Sequence, residues 1–262
     1  MPELPDVEVF RRYFQSTSLH QTITGVKVCS QRILEDTSEG DLRRLLIGHT
    51  FLGTDRHGKY LFLDVEDKGW MGLHFGMTGH LAYYKGDGKA PEYTRAKYDF
   101  KGDYHLALVM PRKLGSIFIA ERMQDFVKKK ALGPDVYKES FDKRTFLELI
   151  SNRRGMVKSQ LMNQQLMAGI GNVYSDEVLF QAKIHPRKQL GALTEDEKGR
   201  IYRTMQEVLE TSIERQADPN RFPDGYLTPH REKGGTCPRC GHEIKKVKVS
   251  GRSSYFCPQC QG

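Results

Sequence analysis

The sequence predicts a multidomain α+β chain in three consecutive parts: an antiparallel sandwich or barrel of short strands, a helical region, and a small hairpin closed on a metal ion. Three observations predict it. Apolar residues alternate with period two from about residue 22 to 122. Helical periodicity takes over after Lys128-Lys129-Lys130-Ala131-Leu132-Gly133-Pro134, a stretch that reads as a linker. Four cysteines, Cys237, Cys240, Cys257 and Cys260, stand as two C-x2-C pairs with sixteen residues between them.

The elements follow in order. Residues 6–19 predict a helix, with Val7, Phe10 and Phe14 on one stripe and Asp6 and Glu8 in the first turn. Strands are predicted at 22–29, 50–54, 60–65, 72–75, 80–84, 97–100, 105–110 and 116–120, with a short helix over 36–48. Glycine turns at Asp87-Gly88 and Lys101-Gly102-Asp103 imply antiparallel pairing. Helices are predicted at 146–152, 158–168, 172–182 and 195–217. The last has Thr194 and Glu197 spaced as a capping box, and Ile201, Met205, Val208 and Ile213 as its apolar stripe. Residues 218–236 read as loop, and 241–256 as a β-hairpin around Ser250-Gly251. Cys29, alone in a predicted strand, reads as a buried structural thiol.

Composition narrows the function classes. A chain of 262 residues with 13 Phe and 12 Tyr builds a real core and is not disordered. No apolar run approaches the roughly 18 residues of a membrane helix. The start, Met1-Pro2-Glu3-Leu4-Pro5-Asp6, lacks a secretory pattern, so a cytoplasmic or nucleoid location and a partner other than membrane are expected. The net charge of +8 favours an anionic partner. Five basic residues (Arg239, Lys245, Lys246, Lys248 and Arg252) against Glu243 place much of that excess after Cys237, which suits a hairpin facing nucleic acid. Two C-x2-C pairs suit one tetrahedral structural zinc. The alternative, two disulfides, belongs to secreted proteins.

Four short patterns can carry chemistry. Removal of Met1 would expose the secondary amine of Pro2, which condenses with a carbonyl to give a cationic iminium, with Glu3 beside it to move protons. The alternative is an ordinary Met-Pro start. Ala168-Gly169-Ile170-Gly171-Asn172 is either a phosphate-cradling turn at a helix N-terminus, with Asn172 and Tyr174 assisting, or a plain connection. Lys59, in His57-Gly58-Lys59, is a positioned cation or a solvated turn lysine. Met77 in Gly76-Met77-Thr78-Gly79, with Arg112 and Leu114 in Pro111-Arg112-Lys113-Leu114-Gly115, is either part of two ordinary turns or one of the apolar wedges flanked by cations that unstack bases.

Together these motifs resemble the formamidopyrimidine-DNA glycosylase/endonuclease VIII family of bifunctional DNA glycosylases. The resemblance runs from Pro2-Glu3-Leu4-Pro5-Asp6-Val7-Glu8 through His57-Gly58-Lys59-Tyr60-Leu61, Gly76-Met77-Thr78-Gly79, Pro111-Arg112-Lys113-Leu114-Gly115, Ala168-Gly169-Ile170-Gly171-Asn172-Val173-Tyr174-Ser175-Asp176-Glu177 and Ile184-His185-Pro186. It ends in the four-cysteine module with Gly251-Arg252 and Cys260-Gln261. It implies a catalytic β-sandwich with flanking helices over 1–127, a helix-two-turn-helix domain over 128–226, and a zinc-finger hairpin over 227–262. It further implies a monomer acting on damaged double-stranded DNA in base excision repair, with AP lyase activity through β,δ-elimination and one structural zinc. By the same resemblance Pro2 is the nucleophile, Glu3 the proton carrier, and Lys59 and Arg252 grip the phosphate beside the lesion. Lys158, Gly171, Asn172 and Tyr174 would hold backbone phosphate, and Met77, Arg112 and Leu114 would fill the space of the extruded base. The alternative is a damaged-DNA-binding protein on the same scaffold that excises nothing. The sequence departs from the family pattern at Asp6, at Leu114 where a Phe wedge is usual, at Lys97-Tyr98-Asp99-Phe100 where histidines flank the Asp, and at Asn163. The segment before Cys237 is also short.

Overall fold

The computed structural model describes residues 1–86 and 89–262, so the turn expected at Asp87-Gly88 lies outside the described residues. The chain divides into two compact units, Met1–Pro2 with Asp6–Ala131, and Glu3–Pro5 with Leu132–Gly262.

The first unit is built on α1 (Leu4–Ser18), β1 (Ile23–Val28), α2 (Glu39–Leu46), β2 (Phe51–His57), β3 (Tyr60–Val65), β4 (Gly69–His74), β5 (His80–Lys85), β6 (Thr94–Phe100), β7 (Tyr104–Val109), β8 (Ser116–Ala120) and α3 (Met123–Lys129). The strands form two four-stranded antiparallel sheets, ordered β1-β6-β7-β5 and β2-β3-β4-β8. One core joins them. Val26, Ala96, Tyr98, Leu106 and Leu108 from the first sheet share it with Leu61, Leu63, Met71, Leu73 and Ile117 from the second, and Val7 and Phe14 of α1 close it. The architecture is therefore a sandwich. The run Tyr60-Leu61-Phe62-Leu63 is apolar throughout because the second sheet is covered on both faces. Phe62 points away from the main core into a smaller cluster with Phe118, Met123 and Phe126. Gly72 makes room for that cluster, since a Cβ there would lie 2.0 Å from the Phe118 ring.

Two expectations change here. α3 occupies part of the stretch read as linker: its lysines face solvent, while Met123 and Phe126 cover the outer sheet, a tertiary reason that local pattern does not display. Cys29 is exposed, one residue past the end of β1, and is no core thiol.

The second unit contains α4 (Lys143–Ser151), α5 (Val157–Leu161), α6 (Asn172–Gln181), α7 (Glu195–Glu214), β9 (Lys245–Val249) and β10 (Arg252–Phe256). Thr194 and Glu197 form the expected capping box on α7, and Ile201, Met205, Val208 and Ile213 are buried. The helix expected over 158–168 stops at Leu161. Side-chain amides replace helical bonds beyond it: Gln164 Nε2 donates to the Met162 and Ile170 carbonyls at 2.9 and 2.7 Å, and its Oε1 accepts from Gly169 N at 3.0 Å. Asn163 Oδ1 accepts from Gln165 N at 3.0 Å. α6 is the central helix, buried on nearly every side from Tyr174 onward. The segment read as loop before the cysteines holds two single-turn 3-10 helices, Pro219–Arg221 and Thr228–His230. Among the described residues no helix is long and apolar enough to cross a membrane.

Candidate catalytic and nucleic-acid site

In the first unit, Pro2 is buried and Met1 is exposed. Lys59 sits in the two-residue turn that joins β2 to β3, where His57 pairs with Tyr60 and Gly58 takes φ +56. A buried ion pair holds this turn from beneath. Arg56 donates from Nη1 to the Gly58 carbonyl at 3.0 Å and from Nε to Glu8 Oε2 at 3.3 Å. Glu8 also accepts from Arg11 at 2.7 and 3.0 Å. Burial alone would raise the Glu8 carboxyl, but the hydrogen bond and charge of Arg11, with those of Arg56 and Arg12, outweigh it and hold it below the ordinary carboxylate range. His74, at the end of β4, is pushed down to about 4, first by burial and then by the nearby Lys59 charge. It is therefore neutral near pH 7, and its Nδ1 accepts from Gly76 N at 3.4 Å.

The turns at 75–79 and 111–115 lie backbone against backbone. A Cβ on Gly76, which takes φ +60, would come within 2.5 Å of the Leu114 carbonyl carbon. Large side chains are excluded from this contact and project outward: Met77 is 37% and Leu114 48% exposed, and Arg112 is exposed between them in sequence. Bare apolar surface of this size on two adjoining turns suits insertion into another molecule.

In the second unit, Glu3 is fully buried and its carboxylate caps α6. Oε2 accepts from Gly171 N at 2.7 Å and Tyr174 N at 3.2 Å, and Oε1 from Val173 N at 2.9 Å. Leu4 N donates to the Gly169 carbonyl at 3.2 Å. Gly169, at φ +127, is required there, because a Cβ would lie 2.4 Å from Leu4 Cδ1. The glycine turn thus does bind an anion at a helix N-terminus. That anion is the chain's own carboxylate, so the amides of Gly171 and Tyr174 are engaged within the protein. Tyr174 itself is 4% exposed. Asn172 differs: its buried side-chain oxygen has no partner, an unmet hydrogen bond at the mouth of α6.

Lys158, expected on a phosphate, has no exposed surface. Its ammonium donates to Asp176 Oδ1 at 2.6 Å and to the Ser253 carbonyl at 3.3 Å. Burial pulls it below its usual range, against the pull of Asp176. Its place in this structure is inside the protein, holding the hairpin. Asp176 also accepts from Ser254 Oγ at 2.5 Å, Tyr255 N at 3.2 Å and Arg231 Nε at 2.9 Å. Arg231 continues to the Asn172 carbonyl at 3.2 Å and lies over the Tyr255 ring. Arg252 is exposed beside the Ser250-Gly251 turn, whose two residues take φ +46 and +77. Glu177, pushed up by burial, ties α6 to Leu227 N and Thr228 N at 3.1 and 2.7 Å. Sequence reasoning missed Glu8, Arg56, Asp176 and Arg231. The available signal was charge inside segments otherwise destined for burial, above all the acids in Tyr174-Ser175-Asp176-Glu177-Val178-Leu179-Phe180.

The four cysteine sulfurs all lie within 4.8 Å of one another. Cys237 and Cys260 are 3.9 Å apart, and Cys240 is 3.4 Å from both Cys257 and Cys260. A disulfide needs about 2.05 Å, whereas tetrahedral zinc with Zn–S near 2.3 Å sets sulfur edges of about 3.8 Å. The donor set fits one zinc ion, held structurally. Gln261 secures the module, accepting from Cys257 N and donating to the Ile184 carbonyl, both at 2.9 Å.

Comparison with known proteins gives a consistent picture. Three family models match in succession: the formamidopyrimidine-DNA glycosylase N-terminal domain over residues 1–117, the H2TH domain of the same enzyme over 132–224, and the zinc finger found in FPG and IleRS over 234–262. The formamidopyrimidine-DNA glycosylase of Pelotomaculum thermopropionicum is 32% identical, over 100% of this chain and 99% of its own. Among solved structures, the Lactococcus lactis enzyme in complex with DNA containing N7-benzyl-Fapy-dG matches with TM-score 0.90 and 30% identity, over 99% of both chains. The same enzyme bound non-covalently to DNA with an abasic site matches with TM-score 0.90 and 31% identity, again over 99% of both.

Proposed function

The chain belongs to the formamidopyrimidine-DNA glycosylase family, and from that premise we propose that it removes oxidatively damaged bases through Pro2 and nicks the abasic strand by β,δ-elimination. Its class is that of a base-excision-repair DNA glycosylase with AP lyase activity, acting on damaged DNA. The observation that carries the finer reading is the immobilised Glu3. The residue next to Pro2 has its carboxylate fixed by three amides of α6, which sets a proton-carrying group beside the reacting terminus.

The chemistry runs in balanced steps. With Met1 removed, the Pro2 nitrogen attacks C1′ of the damaged nucleotide, and the base leaves with the bonding pair and takes up a proton. The sugar ring opens as C1′ and nitrogen form an iminium. That cation acidifies C2′. Loss of a C2′ proton expels the 3′ phosphate, a second elimination expels the 5′ phosphate, and water then releases the sugar remnant from Pro2. Glu3 carries protons at the sugar. Lys59, on a turn fixed by Arg56 and Glu8, and Arg252, at the hairpin tip, neutralise phosphate charge as each leaving group departs. Asn172, as the family resemblance implies, donates from its side-chain amide nitrogen to backbone phosphate, and its unmet side-chain oxygen is left to accept from a donor such as water. An extruded base leaves a gap that Met77, Arg112 and Leu114 fill, offsetting the few kcal/mol of flipping. Segments 1–127, 128–226 and 227–262 then divide the work into chemistry, backbone binding and zinc-supported phosphate grip.

Borohydride trapping tests the reading. Incubation with duplex containing an abasic site should leave a reduced covalent adduct on the peptide that begins at Pro2. Strand cleavage by protein whose Met1 is retained or whose terminus is blocked would overturn it.

A further inference from the structure

Among the described residues, the hairpin that presents Arg252 has a strand edge that no other strand covers: β10 pairs only with β9, and the two-residue turn makes Val249 and Arg252 facing partners. In such a ladder the backbone groups of residues 252, 254 and 256 face β9, and those of 253 and 255 face away. An unpaired edge normally needs water or another strand. Here the outward Ser253 carbonyl accepts from the Lys158 ammonium at 3.3 Å, and the outward Tyr255 amide donates to the Asp176 carboxylate at 3.2 Å. The two side chains are themselves paired at 2.6 Å, both with no exposed surface. A buried cation and anion, one on α5 and one on α6, thus offer the donor and the acceptor that a neighbouring strand would offer. Ser254 adds a side-chain bond to the same carboxylate at 2.5 Å.

We propose that the Lys158–Asp176 pair acts as a surrogate strand that locks the β10 edge, making Asp176 a positioning residue for Arg252. An ion pair serving only the core would be replaceable by apolar groups. This one spends its hydrogen bonds on the backbone of the segment that begins with Arg252. The consequence rests on the proposed role of Arg252 in the second elimination: releasing the edge slows that step far more than base excision.

The test uses the zinc-loaded full chain and four proteins: wild type, Asp176→Asn, Arg252→Ala and the double variant. Hydrogen exchange at the Tyr255 amide reads the edge, and the ratio of δ- to β-elimination product on abasic duplex reads the chemistry. Asp176→Asn should speed Tyr255 exchange and lower the product ratio, each by about tenfold, the range expected for a lost charge-assisted bond. The double variant should be no worse than Arg252→Ala alone. Multiplying effects in the double variant, or equal losses of excision and second elimination, would overturn the proposal. Should Arg252→Ala leave the ratio unchanged, the role given to Arg252 fails. The lock is then judged by the amide, and slow Tyr255 exchange in Asp176→Asn refutes it. If Asp176→Asn fails to retain zinc, Ser254→Ala, which removes one bond to the same carboxylate, carries the same comparison.

Discussion

The two units hold their functional residues by opposite means. In the first, Met77, Arg112 and Leu114 stand on short turns packed backbone against backbone, with the side chains exposed. In the second, Glu3, Asp176 and Glu177 are buried, and each gathers amides or cations around one carboxylate. The exposed set is suited to reshaping by a partner. The buried set cannot lose a member without stranding several donors, which costs about 1–3 kcal/mol per uncompensated group. On the proposed roles, recognition and positioning fall to different kinds of structure, and substitutions in the two should differ in kind.

The largest effect belongs to the metal. Cys237→Ser, or chelation, removes a site whose binding free energy in comparable modules is about 10–16 kcal/mol. Loss of β-hairpin signals by NMR and of DNA affinity in titration should follow together; a hairpin that persists without zinc would mean that its packing on Phe180 and Leu227 suffices. Next is Glu3→Gln, which keeps the shape and loses the charge. Single-turnover excision should fall by about 10²–10⁴ while binding to abasic duplex survives. Equal loss of both would reduce Glu3 to a helix cap. Third is an acid effect confined to the first unit. His74 titrates near 4 in the folded chain against an ordinary value of 6.5, so the unfolded chain binds the proton first as pH falls. Stability is complete above about 6.5 and is lost on the way down to 4, by on the order of 3 kcal/mol. Urea melts between pH 7 and 4.5 should show this slope in wild type and a shallower one in His74→Gln. The smallest effect is Leu114→Phe, at an exposed position where stability should hold within about 0.5 kcal/mol. Its signature is an altered preference for the base opposite the lesion, measured as excision rates on duplexes carrying each of the four bases.

Strands were the most legible part of the fold. The ranges 60–65 and 116–120 match β3 and β8 as found, because alternation and bounding turns are local properties. α3 escaped because only its packing under the second sheet stabilises seven residues. α5 was overextended because Asn163 and Gln164 fit a helix by pattern and leave it through side-chain bonds. In the site, spacing pointed to the cysteines, and the family resemblance to Lys59 and Arg252. It did not show that the glycine turn holds Glu3, that Lys158 is internal, or that Asp176 exists as a hub. Those facts join residues far apart in the chain, and no periodicity encodes them.

The amides that hold Glu3 lie 168 to 171 positions downstream. On a ribosome adding about 5–20 residues per second, α6 is made roughly ten to thirty seconds after position 3. Through that interval α1 can already dock on the first unit through Val7 and Phe14, while the Glu3 carboxylate has no amides to cap it. The order of synthesis thus lets the first unit, which ends at Ala131, close before the carboxylate at position 3 can be fixed.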